Sequence, residues 1–284
     1  MPDLKQLPYL LKLLDDESKT VRQEITRQLL AFGPRLKEEV AKIPENIFPM
    51  KSRVILTGIL EDQERIRLRQ RWSGWQEVEP DTTKLETALS FLAEFQSGLT
   101  YAQNLTGLLD SLAEEYQKNY SQTNAFDLAR FLFHDKNLRG AEADYYHPQN
   151  SNLVHVITQK EGLPISLVCI YMLVGARLGL TIEGCNFPGH FMARFDHEGK
   201  YFLVDCYNGG KTIEEGQVVT LDPGKNPMKG SPLGADAVTI IRRVLINLTR
   251  AYELKDESAN QQCMMELLKS LNEQSPSELP KKIK

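Results

Sequence analysis

Cysteine is scarce in this chain: four residues in 284, at Cys169, Cys185, Cys206 and Cys263. They have neither CxxC spacing nor the density of a disulfide framework, so a reducing, cytoplasmic setting is the simplest expectation. Charge of one sign is lacking as well. The formal net charge is −4 and the basic residues are scattered, which points away from nucleic acid and from an anionic membrane surface. The two local basic runs, Arg65-Ile66-Arg67-Leu68-Arg69-Gln70-Arg71 and Lys281-Lys282-Ile283-Lys284, read as a solvated helix face and a tail. No stretch of about 18 apolar residues occurs, so no membrane-spanning helix is expected. Met1-Pro2-Asp3-Leu4-Lys5 lacks the apolar run of a secretory signal. No cofactor and no metal are expected, because no pair of candidate ligands has a recognisable zinc spacing. What is present is a hydrophobic content of 41%, enough for a substantial core in a chain of this length.

Three stretches differ in texture. Residues 1–133 read as a helical N-terminal region. Leu7, Leu10, Leu11 and Leu14 mark one apolar face, and Val21, Ile25, Leu29 and Leu30 mark the next, at helical spacing. Ser18 or Thr20 is placed to cap the second helix, and Gly33-Pro34 to end it. The segment near 3–43 resembles one HEAT-type unit, with residues 54–71 as a poorer second copy; a lone unit cannot bury its own face, so a helical cap on the core is expected rather than a solenoid. A break is expected at Glu77–Thr83, with helices following at about 84–96, 101–118 and 124–133. Residues 134–235 change character, with a loop rich in Tyr, His, Pro and Asn, then an apolar helix, then β-patterned segments. Residues 236–273 form a helical pair of tetratricopeptide-like pattern, with Val238, Ile241, Val244, Leu245 and Leu248 on one stripe and Cys263, Met264, Leu267, Leu268 and Leu271 on the other. Residues 274–284 read as a frayed polar tail.

The chemistry-bearing segments lie in the middle stretch. Gly189 to Phe195 and Tyr201 to Tyr207 flank Asp196-His197-Glu198-Gly199, a turn signal that predicts a β-hairpin. A loop symmetric about His197 and Glu198 pairs Phe195 with Lys200, Met192 with Leu203 and His190 with Asp205. Directly opposed residues share a face with Cβ atoms about 5 Å apart, so an imidazole beside a carboxylate is expected, which fixes a tautomer and stabilises an imidazolium. The same register sends Cys206 to the other face as a buried small hydrophobe.

Before the hairpin, Gly162-Leu163-Pro164 leads into a helix from Ile165 to Arg177, with Gly179 suited to the left-handed position after its end. Its residues leave almost no polar face, so the helix is expected to be buried. Thiol enzymes of the papain and transglutaminase type place their nucleophile at the start of such a helix, where the positive dipole end lowers the thiol pKa and a backbone N–H helps to form the oxyanion hole.

Residues 134–212 resemble the core of the bacterial SirB-type transglutaminase-like family. The matching pieces are Asp144-Tyr145-Tyr146-His147-Pro148-Gln149-Asn150-Ser151, Gly162-Leu163-Pro164-Ile165-Ser166-Leu167, Arg177-Leu178-Gly179-Leu180, Phe187-Pro188-Gly189-His190-Phe191, and Asp205 through Asn208-Gly209-Gly210. That family commonly has an acidic residue where His147 stands and Pro or Phe near Cys206. The resemblance implies an α+β fold: a papain-like core of one buried helix and a small antiparallel sheet, a mostly helical N-terminal part and a C-terminal helical hairpin. It also implies a cleft formed by His190 and Asp205 with Tyr145, Tyr146, Asn150, Pro164 and Asn208.

The usual transglutaminase pattern has Gly-x-Cys about fifteen residues before the Leu-Gly that ends the helix, and counting back from Gly179 lands on Pro164, which has neither a nucleophile nor an N–H. Cys169 points away from that position, and Ser166 is better suited to a backbone hydrogen bond. Cys185, five residues before His190, is the remaining nucleophile candidate. Asn150 or Ser151 is placed to cap a helix through Leu153, Val154 and Ile157, while His134, His147, His155 and His197 have no evident partner. The expectation is a non-catalytic protein that uses the His190/Asp205 cleft and its helical flanks to bind a peptide or protein. The alternatives are an amide hydrolase or acyl-transferase with Cys185 or an activated water as nucleophile and His190 as base, and metal-dependent hydrolysis using Cys185, His190 and Asp205.

Overall fold

The computed structural model describes residues 3–33, 35–44, 49–97, 104–187, 190–218 and 234–274. Two compact units emerge, one from Met1–Gln70 with Ser97–Ala102 and the other from Arg71–Gln96 with Gln103–Lys284. The first holds α1 (Leu7–Lys12), α2 (Lys19–Leu30), α3 (Arg35–Ala41) and most of α4 (Met50–Arg71). Leu10, Leu11, Leu14, Leu29, Leu36 and Leu60 meet in its core. Ser18 Oγ caps α2 by accepting from the Val21 N–H at 3.4 Å, and Gly33 ends it with a φ of +58°. Residues 54–71 fall within the single 22-residue helix α4.

The second unit is organised around α9 (Pro164–Arg177). All residues from Ile165 to Gly175 are buried. Pro164 occupies its first turn, where a missing N–H is not missed, and Gly179 follows its end at φ +73°. Around α9 lie α5 (Asp81–Gln96), α6 (Leu105–Asn119), α7 (Ala125–Arg130) with the π-helical turn Phe131–Asp135, and α8 (Leu153–Gln159). The Tyr171 hydroxyl donates to the Ala125 carbonyl at 2.7 Å inside the core. Arg177 bonds Glu86 of α5 and Asp110 of α6 at 2.9 and 2.6 Å. α5, α6 and α7, grouped by their sequence texture with the N-terminal helices, thus lie in the same compact unit as the sheet and α9.

The sheet is antiparallel in the order β3 (Ile182–Phe187), β4 (His190–His197), β5 (Lys200–Asp205), β6 (Lys211–Glu214), and α10 (Glu215–Val218) follows it. The β4–β5 register differs from the sequence expectation. His197 pairs with Lys200 and Phe195 with Phe202, so the loop is the two-residue Glu198-Gly199, with φ of +54° and +79°. Positive φ at both positions is the type I′ geometry that matches strand twist. The shift is two residues, an even number, so every side chain stays on its expected face. A short parallel ladder, β1 (Arg139–Gly140) with β2 (Glu161–Gly162), lies beside the start of α9. The chain closes with α11 (Ala237–Leu254) and α12 (Ser258–Gln274), which pack on each other, and α11 also packs on α5. Cys263, Met264, Leu267 and Leu271 of α12 are buried. Residues 275–284, read as a polar tail, lie outside the described residues. Among the described residues no helix is long and apolar enough to cross a membrane.

The polar loop before α8 has its own logic. Asn152, and neither Asn150 nor Ser151, caps α8, its Oδ1 accepting from the N–H groups of Val154 and His155 at 3.0 and 3.4 Å. His147 Nδ1 accepts from the Gln149 N–H at 3.2 Å. Its ring stacks on His155 with centroids 6.5 Å apart, so these two histidines, which lack a sequence-evident partner, have each other.

Two outcomes follow from this packing. A Cβ at Gly140 would lie 2.4 Å from the Tyr207 ring, so Gly140→Ala should lower stability by about 1–3 kcal/mol in urea titration. Burial, and then His147, lower the pKa of His155. The unfolded chain then takes up its proton first, and stability present above about pH 6.5 is lost as pH falls below it. The urea midpoint should drop between about pH 7 and pH 5.5, and by less in His155→Gln; equal drops would refute the assignment.

Candidate functional site

Asp205 ends β5, and the turn after it is built to hold its carboxylate. Gly209 and Gly210 both have positive φ, +76° and +72°, and the Gly210 N–H returns to the Asp205 carbonyl at 2.9 Å. The turn presents the Asn208 N–H to Asp205 Oδ1 at 3.1 Å and the Asn208 side-chain amide to Oδ2 at 2.7 Å. His190 Nε2 lies 3.0 Å from Oδ1, with side-chain exposures of 30% for His190 and 17% for Asp205. The two are diagonal neighbours rather than directly opposed, since Ala193 pairs with Val204; the same strand faces and a long imidazole close the gap. With Nε2–H donated to the carboxylate, Nδ1 is left as the basic nitrogen of the pair. Asn208, a cleft candidate on sequence, acts here as the residue that positions Asp205.

Tyr207 ties this turn to the short ladder that precedes α9. Its hydroxyl donates to the Ala141 carbonyl at 2.7 Å, its carbonyl accepts from the Gly140 N–H at 3.2 Å, and its ring rests against Gly140. Gly140 pairs with Gly162, two residues before Pro164. Asn150 is a buried clamp rather than a cleft wall. Its amide donates to the carbonyls of Asp144 and Tyr145 at 3.0 and 3.1 Å, and its carbonyl accepts from the Leu163 N–H and the Ser166 hydroxyl at 3.1 and 2.8 Å. Tyr145 and Tyr146 stay exposed, edge to face at 5.1 Å, with Tyr145 6.3 Å from the Tyr207 ring. Burial, then Tyr207 and Tyr146, raise the Tyr145 pKa, against an opposing pull from Arg243.

The thiols are poor nucleophiles in this setting. Burial pushes Cys169 up to about 12 and Cys206 well above its ordinary value. Cys185 is fully buried, and burial, opposed by Arg194, pushes it up to about 12. It pairs with Met192 on the neighbouring strand, which puts it on the same face as His190, a placement its sequence distance from His190 did not reveal. Pro188 and Gly189, between them, lie outside the described residues. Among the described residues no group of three His, Cys, Asp or Glu side chains is arranged to hold a metal ion. A groove of about 510 Å3 lies at the hairpin-tip end of the sheet, lined by Asn124, Glu183, Phe195, Asp196, His197 and Tyr201 among others, and includes neither His190 nor Asp205. Sequence reasoning gave no weight to Tyr207, although it stands inside a quoted motif, and none to Arg243, whose position on α11 carries no local signal.

A family profile described as Transglutaminase-like superfamily matches residues 100–232. A UPF0162 protein of Xylella fastidiosa is 27% identical over 201 residues, 65% of this chain and 70% of that one. A UPF0162 protein of Vibrio cholerae is 24% identical over 81 residues, 28% of this chain and 30% of its own. F-box only protein 21 of Mus musculus is 32% identical over 101 residues, 32% of this chain but 16% of that longer protein. No solved structure matches the chain at a significant level. The stretch that carries α9, the sheet and the His190–Asp205 pair is thus similar to the transglutaminase-like superfamily, and the chain resembles the UPF0162 proteins of bacteria at a distance.

Proposed function

We propose that this chain is a SirB-type transglutaminase-like protein that works without covalent catalysis in a cytoplasmic setting, using the His190–Asp205 end of its sheet to bind a peptide or protein. One observation carries the reading: the first helical position of α9 is Pro164, which supplies neither a thiolate nor an N–H where a thiol transferase needs both. The His190–Asp205 pair is in hydrogen-bonded contact. The HEAT-like pair α1–α2 and the tetratricopeptide-like pair α11–α12 are helical hairpins of the kind used in interaction surfaces. The similar stretch in the F-box relative occupies a small share of a longer chain, consistent with use as a module. On this reading the purified protein does not hydrolyse or transfer amide groups of glutamine peptides. His190→Ala should lower stability by about 1 kcal/mol through the lost hydrogen bond, with no activity to lose. Turnover that disappears in His190→Ala would overturn the reading.

The alternative, an amide hydrolase with Cys185 as nucleophile and His190 as base, draws on their shared face of the sheet. Against it stands a thiol pushed up to about 12, ionised at neutral pH only to the order of one part in 10⁵. Iodoacetamide near pH 7 should therefore leave native Cys185 unmodified and alkylate it after urea unfolding. Rapid alkylation of the folded protein, mapped to Cys185 by mass spectrometry, would favour the hydrolase.

A further inference from the structure

The start of α11 is pinned to β3, the Ala235 N–H donating to the Gly184 carbonyl at 2.7 Å. From there α11 carries Arg243 to the end of the sheet at which β4 begins. The Arg243 Nη1 donates to Asn186 Oδ1, and its guanidinium carbon lies 5.2 Å from the Phe191 ring centroid. Asn186 and Phe191 are paired across β3 and β4, one step from the Phe187–His190 pair. The Arg243 charge opposes the rise that burial gives the Tyr145 pKa.

Two other arginines of this unit that are shielded from solvent are compensated. Arg177 holds Glu86 and Asp110, and Arg194 is bonded by Glu183 and Glu215 while lying over the Tyr201 ring. Arg243 has no carboxylate within ion-pair distance among the described residues, and burial pulls its pKa below the ordinary arginine value. Its neighbour Arg242 also forms no ion pair among the described residues. A partly desolvated guanidinium without a counter-ion is costly, and it regains most when a planar anion takes up its parallel N–H donors.

The geometry points to Arg243, with Asn186, as the receptor for a carboxylate carried by a peptide bound at the His190 end of the sheet. The Arg243 fork donates to the two carboxylate oxygens, the Asn186 amide nitrogen is a further donor, and the Phe191 ring supplies an apolar contact for the chain beside it. One guanidinium and neutral donors match a single negative charge better than the double charge of a phosphate. This inference rests on the peptide-binding reading above.

The test is isothermal titration of the full chain with acetyl-Ala-Ala bearing a free C-terminal carboxylate, with its C-terminal amide, with acetyl-Ala-Glu amide, and with inorganic phosphate. One of the two carboxylate peptides should bind, and which one does separates a chain terminus from an acidic side chain. The peptide without a carboxylate should bind at least about tenfold more weakly, and Arg243→Gln should weaken the carboxylate peptide by at least about tenfold. The variant's urea midpoint and circular dichroism establish that it is folded, and Arg243→Lys should recover part of the loss. Peptide binding that ignores the carboxylate and Arg243 overturns this inference and leaves the peptide-binding reading standing. Carboxylate binding that depends on Arg243, accompanied by turnover lost in His190→Ala, supports the inference and removes the non-catalytic reading. Preference for phosphate, or no binding by any probe, overturns the inference.

Discussion

A helix with no polar face from Ile165 to Gly175 has to be covered all round, and the elements of the larger unit find their places by meeting it. Each fully buried apolar side chain of this kind is worth about 1.5–3 kcal/mol, so α9 is where the fold recovers much of its ordering cost. Close approach is enforced at defined points: a Cβ at Gly175 would lie 2.6 Å from Ile182 of β3, and Tyr171 anchors the start of α7. Arg177, at the far end, draws α5 and α6 in through two carboxylates. Because all of this hangs on one rod, the start of α9 and the end of the sheet are held at fixed places by elements far apart in sequence.

That arrangement makes a site with two unequal parts. The orienting part is over-determined: Asp205 is held by Asn208 twice and by its own turn, and Tyr207 ties that turn to the ladder preceding α9. The other part, at Pro164, offers no group with which to attack a carbonyl. Burial does the same to the thiols, since removing a thiolate from water raises its pKa whatever imidazole shares its face. On the proposed reading this end of the sheet serves recognition, and Arg243 brings to it a charge that the described residues leave without an ion pair.

Legibility in the sequence tracked locality. The buried character of α9, its Pro164 start and Gly179 end, the Ser18 cap and the break before α5 all depend on residues within one turn of each other. The β4–β5 hairpin was legible as a hairpin, but its register was misplaced by two residues, because Asp196-His197-Glu198-Gly199 suits a four-residue loop as well as a two-residue turn. Only the backbone, with Glu198 at positive φ, distinguishes them. The period-2 pattern survived the error, which is why His190 and Asp205 still meet. Asn150 and Asn152 show the opposite case: two polar residues with similar capping preference, assigned to different tasks by partners that sequence does not display.

By itself the sequence determined the elements and their faces: an all-apolar helix headed by proline, and a two-strand hairpin carrying histidine and aspartate on one side. These follow from side-chain period and backbone constraint, which act over a few residues. Only the tertiary structure decided the company each element keeps. It drew α5, α6 and α7 into the core of the sheet, laid Tyr207 on Gly140, put Cys185 on the His190 face yet buried it, and brought Arg243 from the last helices to Asn186. Those placements depend on close packing between segments tens of residues apart, where shape and buried area choose the partner and no local spacing records the choice.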